Sequence, residues 1–484
     1  MTQPGVNLTE IDGALGVLPP SFGDIFALVG VSDSGSDTAP ATFARTQDVI
    51  AAYGGGPLVE AACHYIERFG RPVLLCRTGQ TVAGDEGTLD DDGFAGTSSV
   101  TLDTAEPTDD FEVVWEAITA GEIETAGITF RWSLDGGRTW SATTALGTAT
   151  TFVFPGTGGV NIDFGAGTVV AGDVLTFRTT APNWNAAELT TALDLLAASS
   201  VSWSIVHIVG PMDGTSFDAV ELAFAGYHAV GKYKTWIGSF RMPTLAETEA
   251  QYLTAFDTAF SAKSTIYGAV CAGSVKLISS VSRRQYKRPF AFPAAAFEGS
   301  VDDEVNIADV NLGPFKGVSI RDDNGNADEH DESLNPGLDD SRAMVARTWD
   351  EFPGVYVNRP QLLSSSTSDF QLLPHRRVLN RANRVVRLTL IRRLNQGIQV
   401  DKSTGFILET EAQEIEAVVE AAMRDELMAK PKASAVRFVL SRTDNVLSTK
   451  TLTYQARVTP LGYVELFDGD IGFENPALQV QTTA

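Results

Sequence analysis

The chain has 484 residues, 43% hydrophobic and 20% charged, a composition that folds into more than one core and excludes an intrinsically disordered protein. Its 61 acidic residues against 36 Lys and Arg leave a formal charge of −25, which argues against nonspecific binding to nucleic acid or anionic membranes. Cys63, Cys76 and Cys271 are too few and too scattered for a disulfide framework or a zinc site and are expected as buried free thiols.

Residues 1–22 carry Pro4, Gly5, Gly13, Gly16, Pro19 and Pro20 without helical periodicity, which predicts an extended arm. No basic n-region precedes an apolar run there, and no apolar run anywhere approaches the roughly 20 residues that span a bilayer, so cytosolic synthesis without membrane insertion is expected. From residue 23 to 80, "IFALVGVS" predicts a buried strand, "TQDVIAAYG" and "LVEAACHYIERFG" two helices with the "YGGGP" turn between them, and "PVLLCR" a second strand. Residues 81–182 change to Gly, Thr, Asp and Val with short alternating runs ("SVTLDT", "ITFRWS", "TTFVF", "DVLTFRTT"). This pattern predicts an inserted, sandwich-like all-β domain.

α/β alternation then resumes over 183–345. "AAELTTALDLLAAS", "SFDAVELAFAGYHAVG" and "LAETEAQYLTAFDTAFSA" read as helices and "WSIVHIVG", "YKTWIGSF" and "TIYGAVCAG" as strands, with "SVKLISSV" expected to continue the same sheet. The acidic stretch from Arg321 to Asp340 reads as a solvated loop. Asp322, Asn324 and Asn326 alternate like calcium ligands, but no Gly follows Asn326 and the twelfth position is Ser333. Residues 346–484 predict a helix from Pro374 to Gln396 stopped by Gly397, a second helix opened by a Thr410/Gln413 capping box, and strands in "AVRFVLSR", "TLTYQARVTP" and "YVELFDGDIGFENP". The fold class is therefore α/β (α+β), multi-domain, with an inserted all-β domain and extended terminal arms.

One motif points to chemistry. "SLDGGRTW", with Ser133, Asp135, Gly137, Thr139 and Trp140, resembles the Asp-box of sialidase propellers and raises a glycan-binding or glycan-cleaving alternative. A propeller repeats such a hairpin in every blade, whereas here it occurs once in about a hundred residues. Asp135 is expected to accept turn amides, Gly136 and Gly137 to take positive φ and Trp140 to cover the hairpin. His64, His207, His228, His330 and His375 show no metal or catalytic spacing, and no nucleophile elbow or phosphate loop is present. No catalytic, cofactor or metal site is assigned, and an enzyme is not expected.

Another feature asks for a partner. Arg376, Arg377, Arg381, Arg384, Arg387, Arg392 and Arg393 lie within eighteen residues that contain no carboxylate. On a helix Arg377, Arg381, Arg384 and Arg387 form one stripe, opposite Val378, Ala382, Val385 and Val386. Two readings stay open: neutralisation inside the chain, with Glu411, Glu414, Glu416 and Glu420 as candidates, or contact with an acidic surface of another subunit.

Taken in order, "QPGVNLTEI", "FALVGVSDSG", "FARTQDVIAAYGGG", "LVEAACHYIERFGRPVLLCRTG", "GLDDSRAMVARTWD", "LIRRLNQGI" and "GYVELFDGDIGFENP" resemble the contractile tail sheath proteins of bacteriophages and related injection systems. The likeness covers residues 3–80 and 340–478 and leaves 81–182 outside; "VNLTE" lacks the aromatic that often follows Pro-Gly-Val in that family. The resemblance implies a structural subunit of a virion tail or contractile particle that polymerises helically around an inner tube and contracts. It implies other copies of itself, the inner tail tube protein, and baseplate and tail terminator proteins as partners, and no nucleic acid. Val6 and Leu8 in one arm and Val464, Leu466 and Ile471 in the other are expected to join neighbouring subunits by strand addition, with Arg377, Arg381, Arg384 and Arg387 facing the tube.

Overall fold

The computed structural model describes residues 24–103, 105–321 and 328–473. The arm expected over 1–22, with Val6 and Leu8, and the alternating Asp322, Asn324 and Asn326 lie outside them. The first strand, β1 (Ile25–Gly30), sends Phe26 and Leu28 into one apolar cluster and Ala27 and Val29 into another. Such a strand is buried on both faces, as a parallel sheet between helices requires. It is followed by β2 (Ala41–Phe43), α1 (Thr46–Tyr53), α2 (Pro57–Phe69) and β3 (Val73–Arg77).

After β3 the described residues up to 185 form strands only. These are β4 (Val100–Leu102), β5 (Glu112–Thr119), β6 (Gly121–Glu122), β7 (Thr129–Ser133), β8 (Thr144–Ala145), β9 (Thr151–Val153), β10 (Asn161–Phe164), β11 (Thr168–Val169) and β12 (Val174–Arg178). They make sheets of order β12-β5-β7-β8, β4-β10-β9 and β11-β6 around a cluster that includes Trp115, Phe130, Phe154, Phe164 and Phe177. The longest of them is β5. Its Val113, Trp115 and Ala117 point inward, and Glu116 pairs across to Arg131 at 2.5 Å. The chain enters and leaves this region side by side, with Val82 paired to Asn183 and Asp85 to Thr180.

Beyond that pairing come α3 (Ala186–Ala198), β13 (Trp203–Pro211), α4 (Gly214–Ala229), β14 (Thr235–Ser239), α5 (Glu249–Phe260) and β15 (Gly268–Cys271). Each of the three helices opens on a capping box, at Asn185/Glu188, Asp213/Ser216 and Thr248/Gln251. One six-stranded sheet of order β15-β14-β13-β1-β3-β2 results, parallel except for β2. Because β1 lies between β3 and β13, this sheet is completed only by strands from both sides of the β-region.

The next segments are β16 (Ser274–Ile278), β17 (Gln285–Pro289), α6 (Ala291–Ser300) and β18 (Val318–Ser319). β16 does not continue the large sheet as expected; it pairs antiparallel with β17 and β18. Only Ala272 and Gly273 separate it from β15, and a parallel neighbour needs a crossover of roughly a dozen residues or more. α3, α4 and α5 supply Leu193, Phe217 and Phe256 to one face of the six-stranded sheet, while α2 and α6 supply Leu58 and Phe292 to the other.

The chain closes with β19 (Ala346–Arg347), β20 (Tyr356–Val357), α7 (Leu373–Ile391), α8 (Glu409–Leu427), β21 (Ala433–Leu440), α9 (Val446–Thr449) and β22 (Tyr454–Pro460). A separate cluster, including Val378, Val386, Ile415, Val419, Met423 and Phe438, binds α7, α8 and the β21–β22 hairpin. Three expectations are corrected here. α7 ends at Ile391 rather than Gln396, since Leu388, Ile391 and Leu394 find no core and Asn395 takes φ 61°. α8 begins before Thr410, at Glu409, and its cap residue Leu408 makes no side-chain bond, so the capping box does not form. Residues 461–473 form no strand within the chain. Overall the molecule is mixed α/β, with several small sheets beside the large one and several apolar clusters.

Candidate assembly surfaces: the arginine helix and the exposed tail

α7 begins with Pro374 in its first turn, and its apolar side, Val378, Ala382 and Val386, faces α8 and the hairpin. That orientation turns the arginines toward the six-stranded domain. Arg377 Nη1 donates to Glu298 Oε1 at 2.6 Å and to the Glu298 carbonyl at 3.1 Å, while Nη2 donates to the Val301 carbonyl at 2.9 Å and lies 3.3 Å from Asp303 Oδ1. Arg381 reaches Asp303 at 3.0 Å and Glu426 at 3.5 Å, and Arg384 grips both oxygens of Asp24 at 2.9 and 2.8 Å. Burial alone would raise the Asp303 carboxyl; Arg377, Arg381 and Lys432 outweigh it and hold the pKa below its ordinary value.

Arg376 is spent differently. It is buried, lies over the rings of Tyr267 and Phe370, and donates from Nη2 to His228 Nδ1 at 2.7 Å. Burial and the adjacent guanidinium push His228 down to about 4, so its neutral ring accepts at Nδ1 and donates from Nε2 to the Lys234 carbonyl at 2.9 Å. Of the four expected neutralisers on α8, Glu414 reaches Arg393 at 2.9 Å; Glu416 and Glu420 bind Arg442 and Arg424 instead. Arg387 is exposed, makes no ion pair among the described residues and lies across Gly231, where any Cβ would collide with it. Of the four arginines expected to form one stripe, Arg377, Arg381 and Arg384 are thus paired within the chain, and Arg387 is the one without an ion pair among the described residues.

The tail leaves β22 at Pro460. Leu461 accepts from or donates to nothing in a ladder; its carbonyl meets His375 Nε2 at 2.9 Å, Tyr463 Oη donates to the Glu304 carbonyl at 2.5 Å, and Glu465 lies 3.4 Å from Arg359. Alternate residues are therefore fastened, as in an extended strand. Between and beyond them Val464, Leu466, Phe467, Ile471 and Phe473 are all more than 60% exposed, an arrangement that costs solvation unless something covers it.

The family comparisons bear on this geometry. Residues 3–361 match the model of DUF2586, N-terminal domain, and residues 369–478 that of DUF2586, C-terminal domain. The chain belongs to the DUF2586 family. No curated protein matches it. Among solved structures it is similar to the contracted helical sheath of the anti-feeding prophage, with 11% identity, 98% of this chain and 100% of that one covered, and a TM-score of 0.51. The contracted PVC sheath complex of an extracellular contractile injection system gives 11% identity, 99% coverage of both chains and 0.51. A sheath tail protein from Listeria innocua gives 12% identity, 91% and 96% coverage and 0.45. This DUF2586 chain has the fold of the contractile tail sheath proteins.

In the hairpin motif Asp135 is fully buried: its Oδ1 accepts from Ser133 Oγ at 2.6 Å and from the Thr139 amide at 2.8 Å, and its Oδ2 accepts from Thr139 Oγ1 at 2.5 Å. Gly136 and Gly137 take φ 71° and 86°, and Arg131 stacks on Trp140 at 4.1 Å. With every carboxylate oxygen spent on the turn, the glycan alternative is not favoured. Cys63, Cys76 and Cys271 are buried and free, and burial pushes Cys63 and Cys76 up to about 12.

The acidic loop is a correction. Glu329, His330, Asp331 and Glu332 are buried, because each charge has a partner: Lys287 for Glu329 at 2.7 Å, Thr348 for Asp331 at 2.5 Å, and His330 between Glu249 at 2.9 Å and Glu332 at 3.0 Å. Burial by itself would lower His330; its two carboxylates overrule it and hold it up at about 9. A base whose folded pKa exceeds its unfolded value of roughly 6.5 stabilises fully below that value, and the contribution is lost as pH rises through about 9. The stability difference between the wild-type chain and His330→Gln should therefore shrink by on the order of 2 kcal/mol between about pH 6.5 and 9.5, as read by urea unfolding. A constant difference would mean that His330 is neutral.

Proposed function

We propose that the chain is a structural subunit of a contractile tail sheath: it is made in the bacterial cytoplasm, polymerises helically around an inner tube in a phage tail or contractile particle, and contracts to drive the tube through an envelope. The observation that carries this reading is the apolar tail, unpartnered among the described residues, on a chain whose full-length fold is that of sheath proteins. A two-stranded sheet is marginal alone; on the β21 edge the Phe438 and Leu440 amides donate to Glu420 at 3.0 Å and Glu416 at 2.7 Å, whereas the β22 edge has no strand partner among the described residues and can accept a neighbour's tail. Repeated head-to-tail contacts of this kind build an open helix, and their sum gives a cooperative lattice with two arrangements.

In this reading the β-region over 81–182 is an inserted outer domain. Its own apolar cluster and its paired entry and exit strands support that assignment. The inner tube is met by Arg387 beside exposed Leu388, Ile391 and Leu394, and baseplate and terminator proteins close the two ends. The role is structural, with no catalytic step.

A chain ending at Glu465 keeps the three tail anchors and loses Leu466, Phe467, Ile471 and Phe473. Negative-stain microscopy of the full-length chain, alone and with its tube, should show tubular polymers. The shortened chain should stay a folded monomer with a thermal midpoint within a few degrees of the full-length value. Polymers of normal length from the shortened chain would refute the proposal.

A further inference from the structure

The β21–β22 hairpin carries an unexplained repulsion. Its register sets Arg437 directly opposite Arg457 on the face turned away from α8, where both are exposed. Side chains so placed lie about 5 Å apart, and like charges there destabilise a sheet. Neither arginine has a carboxylate partner among the described residues. The other face is apolar: Val436 lies opposite Val458, and Phe438 stacks on Tyr454 at 5.1 Å.

The tail has the complementary pattern. From 467 to 473 the sequence Phe-Asp-Gly-Asp-Ile-Gly-Phe alternates strictly, with Phe467, Ile471 and Phe473 on one side of an extended strand and Asp468 and Asp470 on the other. All of these residues are exposed, and no basic residue lies between 461 and 473. The anchors at Leu461, Tyr463 and Glu465 commit the preceding residues to α7 and the six-stranded domain of their own chain.

We infer that Arg437 and Arg457 form a register lock for the tail of a second copy of this chain, with Asp468 and Asp470 of the incoming strand placed over the arginine pair. The apolar side of the strand then extends the face that Val436, Phe438 and Val458 present to α8. A slip by one residue exchanges the two sides, burying the aspartates and removing the arginines' counterions, so the charges select a single register. This inference rests on the strand-donation reading proposed above and adds the pair of charges that sets its specificity.

The test uses the full-length chain in three forms: Arg437→Glu with Arg457→Glu, Asp468→Lys with Asp470→Lys, and all four together. All four side chains are exposed, so circular dichroism and the thermal midpoint of the monomer should not change. Each double reversal should cut polymer mass in sedimentation by about tenfold or more, since attraction becomes repulsion at every interface, and the fourfold variant should recover most of it. If the chain ending at Glu465 fails to polymerise while both double reversals assemble like the parent, the register lock is wrong and strand donation survives. Normal assembly of the shortened chain removes both.

Discussion

Arg377→Met should unfold the chain more readily by about 3–5 kcal/mol, where loss of an exposed interface arginine would leave stability within about 0.5 kcal/mol. Glu298 is fully buried at the end of α6, and Arg377 is the cation that meets it. Removing the guanidinium strands that carboxylate and also releases the carbonyls of Glu298 and Val301 from their donor. Burial already raises the Glu298 carboxyl against the pull of Arg377, so the variant should take up a proton at a pH where the parent does not. Urea unfolding at neutral pH measures the loss. Arg387→Glu is the contrasting case: stability should hold and assembly on tubes should weaken. An Arg377→Met chain as stable as the parent would show that α7 does not brace the two parts of the molecule.

Arg288→Leu should cost a similar amount, about 3–5 kcal/mol, and its effect should appear at the base of the β-region. Arg288 is 1% exposed and sits between two segments far apart in sequence. Its Nε donates to Glu60 on α2 at 2.5 Å, its Nη2 meets Asp109 Oδ2 at 2.7 Å, and its Nη1 donates to the Asp110 carbonyl at 2.7 Å. One side chain therefore ties the β-region to the core helix α2. Without it two carboxylates share a dry site. Limited proteolysis should then cut near the paired entry and exit strands around residues 82–85 and 180–183, sites protected in the parent. Combining Glu60→Leu with Arg288→Met should recover part of the stability, because apolar groups of similar volume tolerate burial that a single charge does not. Unchanged proteolysis and unfolding would mean that the link is redundant.

The sequence by itself determined the elements whose pattern is local. β1, α1, α2, β3, α3, α4 and β14 lie where periodicity and caps put them, since a helix or a buried strand is specified by side chains within a few residues of one another. The hairpin turn at Ser133–Trp140 was legible for the same reason: Ser133, Asp135 and Thr139 satisfy one another within seven residues. The closing segment "YVELFDGDIGFENP" reads as strand from its own residues, although such a pattern cannot say that residues 461–473 join no ladder among the described residues.

Only the tertiary structure decided which charges are free. For the arginine stripe the sequence leaves neutralisation inside the chain and contact with another subunit both open, because no carboxylate lies near it in sequence; Glu298, Asp303 and Asp24 arrive from 79, 78 and 360 residues away. The run Asp328–Glu332 looked solvated because charges cluster there, yet Lys276, Lys287 and Glu249 close over it from other segments. Strand pairing was likewise undecided for β16, whose neighbour depends on the two-residue link behind it rather than on its own side chains. Charge type is written along the chain, whereas neutralisation belongs to distances across it, and electrostatic energy depends on the second.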